Sequence, residues 1–274
     1  MEVLLWTGTG QLGTAIVRRI GSGAKIIAAD INPAQAENAA ELLERAGFDV
    51  LPTRTDISSR ESVRELIELG QRFGEITALV NSAGVSPLRS SIERILQVNL
   101  LGTAILLEEV GKVIAVGGAG VTLLGQAGRR IPAMGTEIDS LLGETAAEEL
   151  LSLEMLKREN ISDRVHACAL AAYAGARRVM AQAVKWGERG ARLNSISVGM
   201  TASPLSYDEL SGSHGEYYRN MYMKSPVGRL GTPDEIAEIA ELLMSRRGSF
   251  ITGADILADG GATAAYYYGS LKPQ

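Results

Sequence analysis

The chain has 274 residues, of which 46% are hydrophobic and 22% charged, enough apolar content for one large core. A net charge of −5 and a pI of about 5.3 give no basic stripe to release counterions, which argues against nucleic acid as a partner. Cys168 is the single cysteine, so an internal disulfide and a cysteine-cluster zinc site are excluded, as fits a reducing cytosol.

The opening "MEVLLWTG" runs directly into a strand at 3–7, with no basic segment followed by an apolar one. A signal peptide is therefore not expected, and a cytoplasmic location is. A helix follows at 12–20, a strand at 25–30, and a helix at 33–47 with Pro33 at its start and Gly47 at its end. "VLPTRTD" (50–56) reads as a third strand and 59–74 as a helix that Ser59 or Ser62 could begin. A fourth strand is read at 76–84, one long helix at about 90–114, and a fifth strand at 120–125. "NLLGTAILLEEVGKVIAV" is the most apolar stretch, but Glu108, Glu109 and Lys112 break it, so no membrane span is expected. The pattern closes with a long helix at 166–190, strands at 191–199 and 254–261, and a helix at 232–245 between them. Such alternation predicts an α/β fold: a Rossmann-type, doubly wound, mostly seven-stranded parallel sheet with helices on both faces.

No repeat, low-complexity tract or linker divides the chain, so 1–274 reads as one domain. Two segments break its rhythm, a polar and helical insert at about 126–164 and a Tyr- and Met-rich stretch at about 204–225. Both follow the carboxyl ends of strands, where parallel sheets bind ligands. The second reads as a substrate lid, with Tyr207, Tyr218, Met221 and Tyr222 as an adaptable apolar wall beside Gln126. "AAYYYG" (264–269) reads as an exposed aromatic tail covering a subunit interface.

"TGTGQLG" sets Gly8, Gly10 and Gly13 as G-x-G-x-x-G between a strand and a helix, with Gln11 and Leu12 inside the turn. One glycine permits the tight turn, one lets a pyrophosphate approach the backbone, and one lets helix and strand pack closely. The helix N-terminus then faces the phosphates. Asp30 ends the second strand, placed to bind ribose hydroxyls and to repel a 2′-phosphate, so NAD is favoured over NADP. The two histidines, His166 and His214, lie in different segments with no metal-ligand spacing, and no metal is expected. "SGSHG" (211–215) follows no strand and is not a hydrolase elbow.

Further motifs carry a family resemblance. "TDIS" (55–58), "NSAG" (81–84), "QVNLLGT" (97–103), "RLNSISVG" (192–199), "GRLGTPDEIA" (228–237) and "FITGADILADGG" (250–261) together resemble the short-chain dehydrogenase/reductase family over nearly all of the chain. The tight glycine turn and long insert look like those of a divergent bacterial group. The resemblance implies cofactor contacts from Asp56, Ile57, Asn81, Ala83, Gly84 and Ser203. It implies dimers or tetramers built on the helices at about 90–114 and 165–189, whose run "ACALAAYAGA" would allow close approach.

The family's active site uses Asn, Ser, Tyr and Lys. Asn99 matches the first, expected to bind a backbone carbonyl and hold a water. Tyr173 in "AAYAGARR" matches the acid/base by its place in the sequence. Arg177, four residues on, stands for the lysine; it keeps a charge for ribose hydroxyls but releases no proton near neutrality. Gly125 stands where the serine is expected and offers no hydroxyl, with Thr122, Gln126 and Ser162 as candidate substitutes. Val198 replaces the proline expected before Gly199.

Three functions are therefore weighed. The first is an NAD-dependent dehydrogenase/reductase acting on an alcohol, ketone or C=N bond of an apolar small molecule. The second is a redox-neutral cyclase, dehydratase or isomerase of secondary metabolism. The third is a non-catalytic dinucleotide-binding protein.

Overall fold

Seven aliphatic runs form the strands β1 (Glu2–Thr7), β2 (Lys25–Asp30), β3 (Asp49–Arg54), β4 (Glu75–Asn81), β5 (Ala119–Gly125), β6 (Arg192–Val198) and β7 (Asp255–Ala258). They pair in parallel in the order β3-β2-β1-β4-β5-β6-β7, as the alternating pattern predicts. β1 is central, and Val3 to Thr7 are essentially inaccessible. The chain reverses its winding between β1 and β4, which opens a crevice at their carboxyl ends. This computed structural model describes residues 1–212 and 214–273; Ser213, inside the lid segment, and Gln274 lie outside the described residues.

On one face, α1 (Gln11–Ile20), α2 (Pro33–Glu44) and α11 (Pro233–Met244) bury Ile16, Val17, Leu43, Ile236 and Leu243 against Leu4, Trp6 and Ile26 of the sheet. Asn32 caps α2 ahead of Pro33, Ser59 caps the next helix, and Thr232 with Glu235 forms a capping box on α11. On the other face lie α3 (Arg60–Gln71), the short α4 (Ile92–Ile95), α5 (Thr103–Gly111) and α8 (Arg164–Glu188). The stretch at 90–114 is not one regular helix. Leu96–Gly102 is a π-helical turn between α4 and α5, and Asn99 sits inside it. Its amide bonds the Val85 main chain in both directions.

The insert forms α6 (Thr136–Glu144), α7 (Ala147–Leu150) and three short helical turns at Gln126–Arg130, Glu154–Leu156 and Arg158–Asn160, and packs along α8. A buried ion cluster fastens it. Arg178, 1% exposed, pairs with Glu108 and donates to the Thr145 carbonyl, while Arg60 joins Glu108 and Glu109 of α5 to Glu148 of α7. The lid forms α9 (Pro204–Ser211) and α10 (Gly215–Met223). The aromatic tail folds back as α12 (Ala262–Tyr268): Tyr266 lies under Arg130 and Tyr267 donates to the Arg129 carbonyl, leaving Tyr268 exposed. No described helix is long and apolar enough to cross a membrane.

Candidate active site

The glycine turn sits at the mouth of the crevice. Gly8 has φ +76°, a conformation that disfavours side chains, and a Cβ there would overlap the Ala83 backbone. Gly13 packs against Ser82 and Trp6. Gly10, by contrast, begins α1 with open space on its Cβ side, where a phosphate group could approach the backbone. Gln11 and Leu12 supply the first helical residues. At the end of β2, Asp30 Oδ2 accepts from Thr9 N–H at 2.9 Å and from its hydroxyl at 3.2 Å, while Oδ1 accepts from Asn32 N–H at 2.9 Å. The carboxylate is thus fixed beside the turn.

The other nucleotide-side residues divide into two groups. Asp56 closes a turn by accepting from Ser58, and Ile57 is buried against Gly102 of the π-helical turn. Asn81, 1% exposed, is fully engaged: it accepts from Thr7 and donates to Thr103 and Thr122. Its side chain ties β1, β4, β5 and α5 together, so it supports the crevice without facing it. Ala83 and Gly84 present backbone between Gly8 and Asn99. Asn99 Nδ2 donates to the Val85 carbonyl at 3.0 Å and Oδ1 accepts from Val85 N–H at 2.8 Å, the carbonyl contact its sequence position implies. Ser203 is buried as the N-cap of α9, engaged with Ser206.

Tyr173 and Arg177 share one stripe of α8, but it is not the stripe that meets the sheet. Gly175 packs on Leu124 of β5, and Trp186 packs on Gly120. At about 100° per residue, Tyr173 is turned roughly 160° away from Gly175. The insert covers it there. The Tyr173 hydroxyl donates to Asp139 Oδ1 at 2.7 Å and accepts from Met134 N–H at 3.2 Å. Arg177 Nε lies 3.3 Å from the same carboxylate, and its guanidinium stacks 3.6 Å from the Tyr173 ring centroid. Burial opposes ionisation of Asp139, but the bonds from Tyr173 and Arg177 outweigh it and hold the carboxyl below its ordinary range. Among the described residues, neither Tyr173 nor Arg177 bonds Asn99 or the glycine turn.

The stripe that faces the sheet begins instead with Cys168, about two turns before Gly175. Its thiol is pushed up to about 12, first by burial and then by the charge of Glu209 on the lid. Gly125 ends β5 with open space on its Cβ side. Beside it, buried Gln126 donates from Nε2 to Met221 Sδ at 2.8 Å, joining the strand end to α10. Tyr218 and Met221, on α10 of the lid, are buried, whereas Tyr207 is 56% exposed and faces outward. Met221 and Tyr222 also line a cavity of about 290 Å³ toward Asp259 and Gly260.

The chain is 35% identical over 96% of its length, and 96% of the relative's, to "Short-chain dehydrogenase/reductase bsc3" of Alternaria brassicicola. It is 32% identical to "D-threitol dehydrogenase" of Mycolicibacterium smegmatis over 96% of this chain and 93% of that one. The chain belongs to the short-chain dehydrogenase/reductase family. The family described as "short chain dehydrogenase" matches residues 2–129, and that described as "Enoyl-(Acyl carrier protein) reductase" matches 147–263.

Solved structures share the fold of this family member. A short-chain dehydrogenase from Burkholderia cenocepacia in complex with NADP superposes at TM-score 0.73 with 21% identity, covering 95% of this chain and 97% of that one. A 7α-hydroxysteroid dehydrogenase complexed with NADH and 7-oxo glycochenodeoxycholic acid superposes at 0.73 with 22% identity, covering 95% and 93%. The family binds a nicotinamide dinucleotide, and the glycine turn with its open Gly10 and adjacent Asp30 fits one.

Sequence reading did not single out Asp139, Ser86, Cys168 or Glu209 as site residues. Cys168 carries one usable signal, its place on the Gly175–Trp186 stripe. The others are brought in by packing between segments distant in the chain.

Proposed function

We propose that this family member is an NAD-dependent oxidoreductase acting on a hydroxyl or ketone group of an apolar small molecule. The observation that carries the reading is the crevice: an unobstructed helix N-terminus at Gly10 beside a fixed carboxylate at Asp30. The names of the two relatives given above support an oxidoreductase. The Gly8–Gly13 turn would hold the pyrophosphate and Asp30 the adenosine ribose, with Asp56 and Ile57 on the adenine side and the Ala83–Gly84 backbone lining the crevice. Bound dinucleotide supplies the two-electron transfer. The chain's own part is to position the substrate under Tyr218, Met221 and Tyr222, exclude water with the lid, and move a proton. Gly125 provides no hydroxyl for that work, and Tyr173 and Arg177 are spent on Asp139.

Calorimetric titration tests the cofactor assignment. NAD(H) should bind more tightly than NADP(H), and Asp30→Ala should narrow the difference by about tenfold, roughly 1.4 kcal/mol. Equal wild-type affinities, or a preference for the phosphorylated form, would overturn it.

The engagement of Tyr173 with Asp139 also supports a second reading, a redox-neutral cyclase, dehydratase or isomerase on the same scaffold. Product formation with no change in NADH absorbance would select it. We further propose a cytoplasmic homodimer or homotetramer. The small-residue run of α8 is largely buried within the protomer, so the exposed Met180, Val184 and Phe250 are the apolar groups offered for pairing. A monomer by light scattering at micromolar concentration counts against this.

A further inference from the structure

Where the lid closes on the loop after β4, Glu209 and Ser86 meet. Glu209 of α9 accepts the Ser86 hydroxyl at 2.9 Å, across 123 residues of sequence. Ser86, in the loop after β4, is 7% exposed, as is Tyr218 of α10. Cys168 of α8 and Tyr218 lie within reach of the Glu209 charge, which adds to burial in raising both. Asp208, next along α9, points to Arg89 instead at 2.7 Å. Among the described residues, no basic side chain forms an ion pair with Glu209.

The lack of a cationic partner separates Glu209 from the other perturbed carboxyls. Asp139 is held low by Tyr173 and Arg177, Glu109 by Arg64, Lys112 and Arg60, and Glu235 by Arg229. Glu209 is instead raised: burial outweighs the opposing pull of the Ser86 hydroxyl, and the Asp208 charge adds a smaller push. Its neighbours are poorer proton carriers. Cys168 is a thiol at neutral pH, and burial raises the Tyr218 phenol further from neutrality. The Tyr173 phenol is covered by the insert.

We propose that Glu209, positioned by Ser86 and carried in by the lid, is the group that exchanges a proton with the substrate oxygen. The proposal rests on the reading above that an alcohol or ketone binds beneath the lid. In the reducing direction, the Glu209 O–H bond breaks and its proton forms an O–H bond on the former carbonyl oxygen. The hydride that forms the carbon–hydrogen bond on the former carbonyl carbon, with its two electrons, would come from the reduced nicotinamide dinucleotide. The carboxylate left behind keeps the Ser86 hydroxyl as a donor and regains a proton from water. In the oxidising direction, the carboxylate takes the alcohol proton.

Two measurements decide it. NADH absorbance is followed with a panel of cyclic and aromatic ketones, and NAD reduction with the matching alcohols, for wild type, Glu209→Gln, Glu209→Asp and Ser86→Ala. Glu209→Gln should lower kcat by about a hundredfold or more, with KM little changed and one limb of the pH profile lost. Glu209→Asp should keep part of the rate. Ser86→Ala, a positioning change, should displace that limb while activity persists. Glu209→Gln within about threefold of wild type, with an unchanged pH profile, overturns the proposal. The second measurement needs no turnover. Carbon-13 NMR of carboxyl-labelled glutamate should show one resonance titrating above the ordinary glutamate range and missing in Glu209→Gln. A Glu209 resonance within the ordinary range overturns the proposal. If no panel member turns over in wild type, the oxidoreductase reading fails on that panel, and the NMR titration still decides Glu209.

Discussion

The Tyr173 hydroxyl donates to Asp139 Oδ1 at 2.7 Å, so the tyrosine that the sequence presents as an acid/base is held by a carboxylate of the insert. Arg177, stacked on the Tyr173 ring, reaches both oxygens of that carboxylate at 3.3 Å. The arrangement locks α6 onto α8.

Tyr173→Phe should therefore act on stability more than on chemistry. Removing a donor to a carboxylate should cost about 1–3 kcal/mol in urea denaturation. NAD affinity and turnover should stay within about threefold. Asp139→Asn should cost a similar amount, and the double variant should cost less than the sum, because both changes break one bond. Loss of turnover in Tyr173→Phe at unchanged stability would instead place the phenol at the reacting oxygen.

The glycine turn separates folding from cofactor binding. Gly8→Ala puts a side chain at φ +76° and into the Ala83 backbone. It should cost about 2 kcal/mol or more. Gly10→Ala meets nothing within 4 Å and has an ordinary extended backbone, φ −76° and ψ 176°. Its stability should stay within about 0.5 kcal/mol of wild type, while NAD affinity falls about tenfold because the methyl occupies the space of approach to the helix N-terminus. Thermal melts alongside calorimetry check both. Unchanged affinity in Gly10→Ala would remove the pyrophosphate from this turn.

Glu109 sets an acid limit on stability. It is 5% exposed, 2.7 Å from Lys112 Nζ and 3.1 Å from Arg64 Nε, and paired with Arg60. Burial alone would raise its pKa, but hydrogen bonds from Arg64, Lys112 and Arg60 outweigh it and hold the carboxyl at about 2. The folded value lies below the unfolded one of about 4.3. The stabilisation is thus present in full above that unfolded value and is lost as pH falls toward 2. Glu109→Gln should destabilise the protein at pH 7 by about 1–3 kcal/mol, because the largely covered Arg60 loses one carboxylate partner while the exposed Arg64 and Lys112 turn to solvent. The gap to wild type should close in denaturation curves taken toward pH 2. Equal stability at pH 7 would show that the cluster contributes nothing.

Strand and helix alternation, the glycine turn, Asp30 at the end of its strand and the Ser59 cap were legible because each is a local signal. Adjacent residues alone specify a turn, a cap or a buried strand. The stripe of α8 that faces the sheet was not legible. Ala171, Gly175 and Gln182 on one side and Tyr173, Arg177 and Met180 on the other both mix small, polar and apolar residues. A four-residue spacing places Tyr173 and Arg177 together without saying which neighbour they meet. Packing decided it. Trp186 needs the space beside Gly111 and Gly120, which turns its stripe toward α5 and the sheet and leaves Tyr173 to the insert. The Ser86–Glu209 pair was equally hidden, because neither residue carries a motif. They meet only where the lid helix closes on the loop after β4, a contact that exists once the sheet has brought the two segments to the same end of the molecule.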